Sequence, residues 1–469
     1  MNREKQLIRN TFILALGKIC TQFISFFLLP LYTAYLSTSE YGVVDLLNNY
    51  VSLFIPIIFF QIDQALFRFL IDARDNDKSK EEIVSTTFIT VSFQSIIFLI
   101  FYFFISFFIQ NEYKYYLMIT VIVSMYSNLF LQLCRGLGDN TSYSIGSVIT
   151  GITTICLNLI LIVIFKLGAY GMLIATICGN LFCILFLIFK MKIYKLISFK
   201  NYNKIKRKEL WKYSIPLIPN QLSWWIVNVS DRTLIVTFID MAANGIYSAA
   251  NKFSSICNIV FNFFNLTWSE SASMHVNDED KDEFFSKIFN VSLGIFVPMC
   301  IGIIAVMPFV FNLLITGESF SDAYFQIPIL MISTIFNIIV TLIGAVYIAL
   351  KKSKDISKTS IYAAIINILI NFLFIKKIGL FAASISTFIS YLAMSIYRFI
   401  DVQKYVKIRL NKKLIILSLI MILITLPFYY IRNLYLCFIS FIVCLLISIF
   451  INKNLIFLVF DIIKKKLQK

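Results

Sequence analysis

Apolar residues in this chain fall in long runs broken by short polar segments. The runs are mostly about 20 residues or longer, the length an α-helix needs to cross a hydrocarbon core ~30 Å thick. Reading from break to break predicts fourteen spans, at 11–36, 43–70, 83–109, 115–133, 143–165, 169–189, 213–239, 245–269, 288–315, 324–350, 356–375, 378–400, 414–431 and 434–451. The expected fold class is an all-α polytopic membrane protein. Tyrosines gather at span ends, as at Tyr32, Tyr35 and Tyr41 or Tyr429, Tyr430 and Tyr435, where an amphipathic ring suits the headgroup level. The first run is long enough to span and no small-residue cleavage pattern follows it, so no cleavable signal peptide is expected.

Composition sharpens this picture. Of 469 residues, 59% are hydrophobic and 14% charged, against roughly 25% charged in an ordinary soluble domain. A soluble globule is excluded. The net charge of +17 would suggest nucleic acid in a soluble protein, but here it sorts by side of the membrane. With the amino terminus inside, inner segments hold 34 Lys and Arg and outer loops five, which orients the chain with both ends cytoplasmic. The expected site is a membrane, and the basic segments face anionic lipid rather than nucleic acid. No cysteine falls in an outer loop and none forms a CxxC pair, so the nine cysteines read as packing residues.

The longest basic segment, Lys190 to Lys212, falls between spans six and seven and reads as a linker between halves. At an offset of 203, Tyr35-Leu36-Ser37, Gly42-Val43 and Asn48 echo Phe238-Ile239-Asp240, Gly245-Ile246 and Asn251. Leu167-Gly168-Ala169-Tyr170 with Thr176 is echoed by Ile378-Gly379-Leu380-Phe381 with Thr387. The expected organisation is a six-helix lobe (1–199), a linker (200–212), a second six-helix lobe (213–405) and an added helix pair with a basic tail (406–469). Internal repeats of this kind suit alternating access by rocking, as do the prolines inside or at the starts of spans, Pro30, Pro56, Pro216, Pro219, Pro298, Pro308 and Pro328.

Charges at bilayer depth cost at least ~2.5 kcal/mol each and need a partner, water or a function. Four are deep: Lys18, Asp231, Arg232 and Lys252. At ~1.5 Å per residue Lys252 is level with Asp231, so an ion pair between spans seven and eight is one expectation and a purely structural hairpin clasp the other. Three cations against one carboxylate leave +2, a surplus that attracts phosphate or acidic sugars. Span eight carries Ser248, Asn251, Ser255, Asn258, Asn262, Asn265 and Ser269 at spacings of three and four, all on one face. That face either lines a cavity or joins helices. Span seven offers Gln221, Trp224, Trp225, Asn228 and Asp231, and span one offers Lys18, Gln22 and Ser25. The candidate cavity set is Lys18, Gln22, Trp225, Asn228, Asp231, Arg232, Asn251, Lys252, Ser255, Asn258 and Asn262.

Enzymatic chemistry has little to draw on. The single histidine, His275, sits in an acidic loop with Asp278, Glu279 and Asp280, which reads as solvated, and no GxxxxGK[ST] phosphate cradle occurs. Neither a metal nor a cofactor is expected, and the outer loops are too short to house a glycan polymerase site.

Asn10-Thr11 with Gly17, Pro30 to Leu36 and Ser37-Thr38-Ser39-Glu40-Tyr41-Gly42 resemble the start of Wzx-type oligosaccharide flippases of the polysaccharide biosynthesis transporter family, in the superfamily that also holds MATE exporters and lipid II flippases. Tyr213-Ser214-Ile215-Pro216-Leu217-Ile218-Pro219-Asn220, Trp224-Trp225, Ser230-Asp231-Arg232 and Gly245 to Lys252 resemble it more strongly, and Cys134-Arg135-Gly136-Leu137-Gly138 resembles it as well. The resemblance implies two lobes around a cationic cavity that moves undecaprenyl-pyrophosphate-linked sugar repeat units outward, with H+ or Na+ coupling. It puts Asp231, Arg232 and Lys252 in that cavity and implies work alongside a polysaccharide polymerase and glycosyltransferases for O-antigen, capsule or teichoic-type polymer. A MATE-like drug antiporter, a lipid II flippase, a membrane glycosyltransferase and a scaffold for synthesis enzymes are the competing readings.

Overall fold

The computed structural model describes residues 26–108, 110–350 and 352–467, apart from the side chains of Asn220, Val227, Asn228, Leu266, Ser353 and residues 454–467. The described residues are all-helical. The chain forms two compact units, residues up to Val229 and residues from Ser230 onward.

The first unit contains α1 (Leu29–Tyr35), α2 (Thr38–Ile58), α3 (Ile62–Asp72), α4 (Asp77–Ser106), α5 (Lys114–Leu137) and α6 (Asn140–Asn158), which runs on through a π-helical turn (Leu159–Ile164). α7 (Gly168–Lys190), α8 (Ile193–Leu196) and α9 (Lys204–Ser214) follow, then the first part of α10 (Ile218–Phe238). Helix starts follow their capping chemistry. Ser37 and Glu40 form a capping box on α2, while Asn76 and Asp139 accept from the first turns of α4 and α6. Gly138 ends α5 with φ +87°, and Arg74 donates to the Gly136 and Arg135 carbonyls there (2.7 and 3.0 Å). α6 meets α7 closely because Gly179 has no side chain: a Cβ there would strike Thr154 Oγ1 and the Thr150 carbonyl.

Two sequence expectations change here. The span expected to run continuously over 43–70 is broken, since Phe60 and Gln61 both take φ of 55° and separate α2 from α3. The expected linker is docked rather than free. Ser85 bonds the Leu196 carbonyl and the Ser198 amide, Asn203 bonds Glu82 and Thr86, and Leu210 of α9 is fully buried. Phe60 meets the Trp211 ring edge-on at 5.9 Å, with Arg207 4.7 Å from that indole. The division between units therefore falls inside α10, not at the basic segment.

The second unit contains the rest of α10, then α11 (Met241–His275), α12 (Lys281–Leu314), α13 (Ala323–Ala349), α14 (Ser353–Ile378), α15 (Leu380–Val402), α16 (Lys412–Ile431) and α17 (Leu434–Leu467). α13 is central, with 67% of its apolar window buried, whereas α16 and α17 reach 22% and 17% and face outward. The added helix pair is tied in firmly. Tyr324 and Tyr429 stack at 4.2 Å and each donates to the other's carbonyl, and Asn452 donates to Gly294 at 2.7 Å.

Among the described residues, eleven helices are long and apolar enough to cross a membrane, so this is a multi-pass membrane protein. The first expected span lies largely outside the described residues. The seventh and eighth form α10 and α11, of spanning length but too rich in amides and charges to join the eleven.

Candidate functional site

The second unit buries a carboxylate, Asp231 on α10, which is 2% exposed. Its carboxylate accepts from Thr387 Oγ1 on α15 at 2.6 Å, Tyr247 Oη on α11 at 3.1 Å and Asn371 Nδ2 on α14 at 3.1 Å. Four helices thus converge on one carboxyl group. A buried carboxylate is tolerated only where hydrogen bonds replace its hydration, and three neutral donors do so here. Arg232 beside it is also buried, its guanidinium 5.7 Å from the Tyr247 ring centre. Asn367, one turn before Asn371, donates to Ser386 and Thr387 at 3.4 Å. The side-chain oxygens of Asn367 and Asn371 are buried and accept no hydrogen bond among the described residues.

The first unit has a neutral counterpart. Asn158, on the fifth span of that unit, donates to the Tyr32 hydroxyl on its first span at 2.9 Å. Asn371 stands on the fifth span of the second unit and donates to Asp231 on its first. Among the described residues, the junction carries a carboxylate in the second unit and an amide with a phenol in the first.

Of the residues singled out in the sequence, Lys18 and Gln22 lie outside the described residues, as does the side chain of Asn228. Trp225 is half-buried and donates its indole N–H to the Asn49 carbonyl of α2 at 3.0 Å. Lys252 is half-buried on α11. Asn251 accepts from Ser254 through its side chain and from Ser255 through its carbonyl. Asn258 accepts from Asn337 of α13 at 3.1 Å, which joins two helices, while Asn262 is exposed. The polar face of α11 therefore contributes to helix association at Asn258 and is open at Asn262. His275 lies 2.6 Å from Asp278 and 4.6 Å from the Phe284 ring centre.

Sequence reasoning missed Tyr247, Asn367, Asn371 and Arg398. Asn367 and Asn371 are four apart, hence on one helical face, which is the signal they offered. Thr387 drew notice only as a repeat echo. Arg398 counts by position among the inner-surface cations, yet it is 3% exposed. Its guanidinium donates to Thr359 Oγ1, the Val340 and Ile356 carbonyls and Ser360 Oγ at 2.9 to 3.3 Å, so it clamps α13, α14 and α15 together.

The sequence pattern of the polysaccharide biosynthesis proteins matches residues 7–269, more than half of the chain. No curated protein sequence matches. Among solved structures the fold is similar to the lipid II flippase MurJ in an inward closed conformation, at TM-score 0.70 and 16% identity over 95% of this chain and 100% of that one. It is also similar to a multidrug resistance MATE family transporter of the MOP superfamily. The inward-facing form gives TM-score 0.69 at 12% identity over 83% of this chain and 94% of that one. The outward-facing form gives 0.60 at 12% over 85% and 94%. At these identities the likeness establishes the fold.

Proposed function

We propose that this chain, which belongs to the polysaccharide biosynthesis protein family, is a flippase that carries undecaprenyl-pyrophosphate-linked oligosaccharide repeat units from the inner to the outer leaflet of a bacterial cell membrane. The cargo serves a surface polymer of the O-antigen, capsule or teichoic type, and both chain ends are cytoplasmic. The observation that carries this reading is the membrane-buried Asp231–Arg232 pair, in which the carboxylate is met by Tyr247, Asn371 and Thr387. With Lys18 and Lys252, the formal charge of the deep residues in the sequence is +2. A cationic site suits a pyrophosphate, which Arg holds bidentately and Lys as a point charge. The fold it shares with a lipid II flippase supports movement of a lipid-linked sugar.

Asp231 serves in this reading as the coupling group for H+ or Na+. Asp231 with the Thr387 hydroxyl bonded to it supplies oxygen donors of the kind a hard cation prefers, and Asn367 and Asn371, whose amide nitrogens reach Thr387 and Asp231, carry buried oxygens that accept no hydrogen bond among the described residues. Substituting Arg232→Ala and Lys252→Ala together is expected to abolish surface polysaccharide while the protein level in the membrane stays unchanged. Normal surface polysaccharide on that double variant overturns the cargo assignment. Drug resistance on expression, with unchanged glycan, supports the antiporter reading instead.

A further inference from the structure

A second feature of the second unit lies on its lipid-facing surface. Between α14 and α15 runs a groove of about 380 Å³ lined by Thr359, Tyr362, Ala363, Ile366, Ala393 and Tyr397, among others. It opens outward: Tyr362 and Tyr397 are each 49% exposed, and Ile361, Leu369, Ile396 and Ile400 around it are exposed as well. Its lining asks for hydrocarbon. The one aliphatic hydroxyl, Thr359 Oγ1, already accepts from Arg398 and donates to the Asp355 and Ile356 carbonyls, so it offers little to a polar ligand. Arg398 is held by four acceptors and fixes the floor rather than facing the groove.

Charge is concentrated at one end. Lys354 and Lys358 are exposed, and the Lys358 ammonium lies 5.9 Å from the Tyr362 ring centre, at the mouth of the groove. Lys354, Lys358, Tyr362 and Ile366 follow at intervals of four, so they share one helical face. Along that face the order is cation, cation, amphipathic ring, aliphatic chain, which is the order of a lipid from headgroup to tail. Lys358 to Ile366 covers ~12 Å at 1.5 Å per residue, most of the depth of one leaflet of a ~30 Å core.

We propose that this groove is a binding site for an anionic phospholipid of the leaflet on the lysine side. One acyl chain lies against Tyr362, Ala363, Ile366 and Ala393, and the headgroup phosphate sits between Lys354 and Lys358. The site is independent of the cargo reading, because a lipid bound there fixes α14 against α15 whatever the protein transports.

The test uses the full chain purified in detergent, with native mass spectrometry and thermal unfolding as readouts. Phosphatidylglycerol is expected to be retained and to raise the melting temperature, and phosphatidylcholine to do neither. Replacing both Lys354→Gln and Lys358→Gln should weaken phosphatidylglycerol binding roughly 30-fold, from the usual contribution of a lysine near an anionic headgroup. These lysines are exposed, so the double variant keeps its fold. Ala393→Phe, which fills the groove, should lose the lipid-dependent shift while Lys354 and Lys358 remain. Equal retention of phosphatidylcholine, or unchanged binding by the lysine variant, overturns the proposal. Competition by glycerol phosphate as strong as by the whole lipid reassigns the site to free phosphate and also overturns it. Displacement of phosphatidylglycerol by polyprenyl phosphate at equal concentration makes the groove a cargo-tail site, and overturns it as well.

Discussion

Asp231 shows how a single side chain can be legible while its setting is not. A charged dipeptide inside an apolar run stands out at once, and burial at 2% exposure agrees with that depth. Its partners did not stand out, because Asn371 and Thr387 are 140 and 156 positions further along the chain and an isolated asparagine or threonine is unremarkable in a span. The carboxylate accepts from three neutral donors, Tyr247, Asn371 and Thr387, so its charge and its shape can be varied separately. Asp231→Asn keeps an acceptor for Thr387 and Tyr247, so it should fold and melt near the parent while losing ion-coupled transport. Asp231→Leu leaves three buried donors unpaired at ~1–3 kcal/mol each and should melt clearly lower; equal melting of the two variants would argue against the network. Arg398 teaches the reverse lesson. Position alone put it at the inner surface, and only packing revealed four acceptors around it. Arg398→Met should lower the melting temperature, by ~1.5–3 kcal/mol for each charge-assisted bond left unmade.

At the level of elements, the apolar runs predicted the helices well, because a span must be helical to satisfy its own backbone in lipid. What they did not predict is the break between α2 and α3. Helix breaks are ordinarily marked by glycine or proline, whereas the residues in the left-handed region here are Phe60 and Gln61. A non-glycine residue pays ~1–2 kcal/mol for that conformation. Gln61→Gly should therefore raise the melting temperature, and Gln61→Val, with its branched Cβ, should lower it; thermal unfolding of the two variants checks the sign. The cause lies in the neighbouring element, since Phe60 turns onto Trp211 of α9. A basic segment that reads as a tether is instead an amphipathic surface docked on the first unit, with Leu210 inside. Its composition showed the charges, and the few apolar residues that seat it were too sparse to signal docking. On α11 the polar face was visible as a seven-residue stripe, but only contacts distinguish Asn258, bonded to α13, from Asn262, exposed.

For the molecule as a whole, two units each join a first and a fifth span through a buried asparagine, Asn158 to Tyr32 and Asn371 to Asp231. The sequence echo at an offset of 203 does not lead to these residues, which are 199 and 213 positions apart, and among the described residues the junction is neutral in one unit and holds a carboxylate in the other. The division within α10 was equally hidden, because a continuous helix carries no boundary in its composition. In the proposed function Asp231 couples the ion while Arg232 and Lys252 attract an anionic lipid-linked sugar. The most direct measurement is transport in proteoliposomes of a fluorescent oligosaccharide on polyprenyl pyrophosphate, for the parent chain and for Arg232→Ala with Lys252→Ala. The account predicts leaflet exchange by the parent that depends on a proton or Na+ gradient, and exchange at the protein-free rate for the double variant. Undiminished exchange by that variant, or a parent chain that exports a cationic drug and leaves the lipid-linked sugar in place, would contradict it.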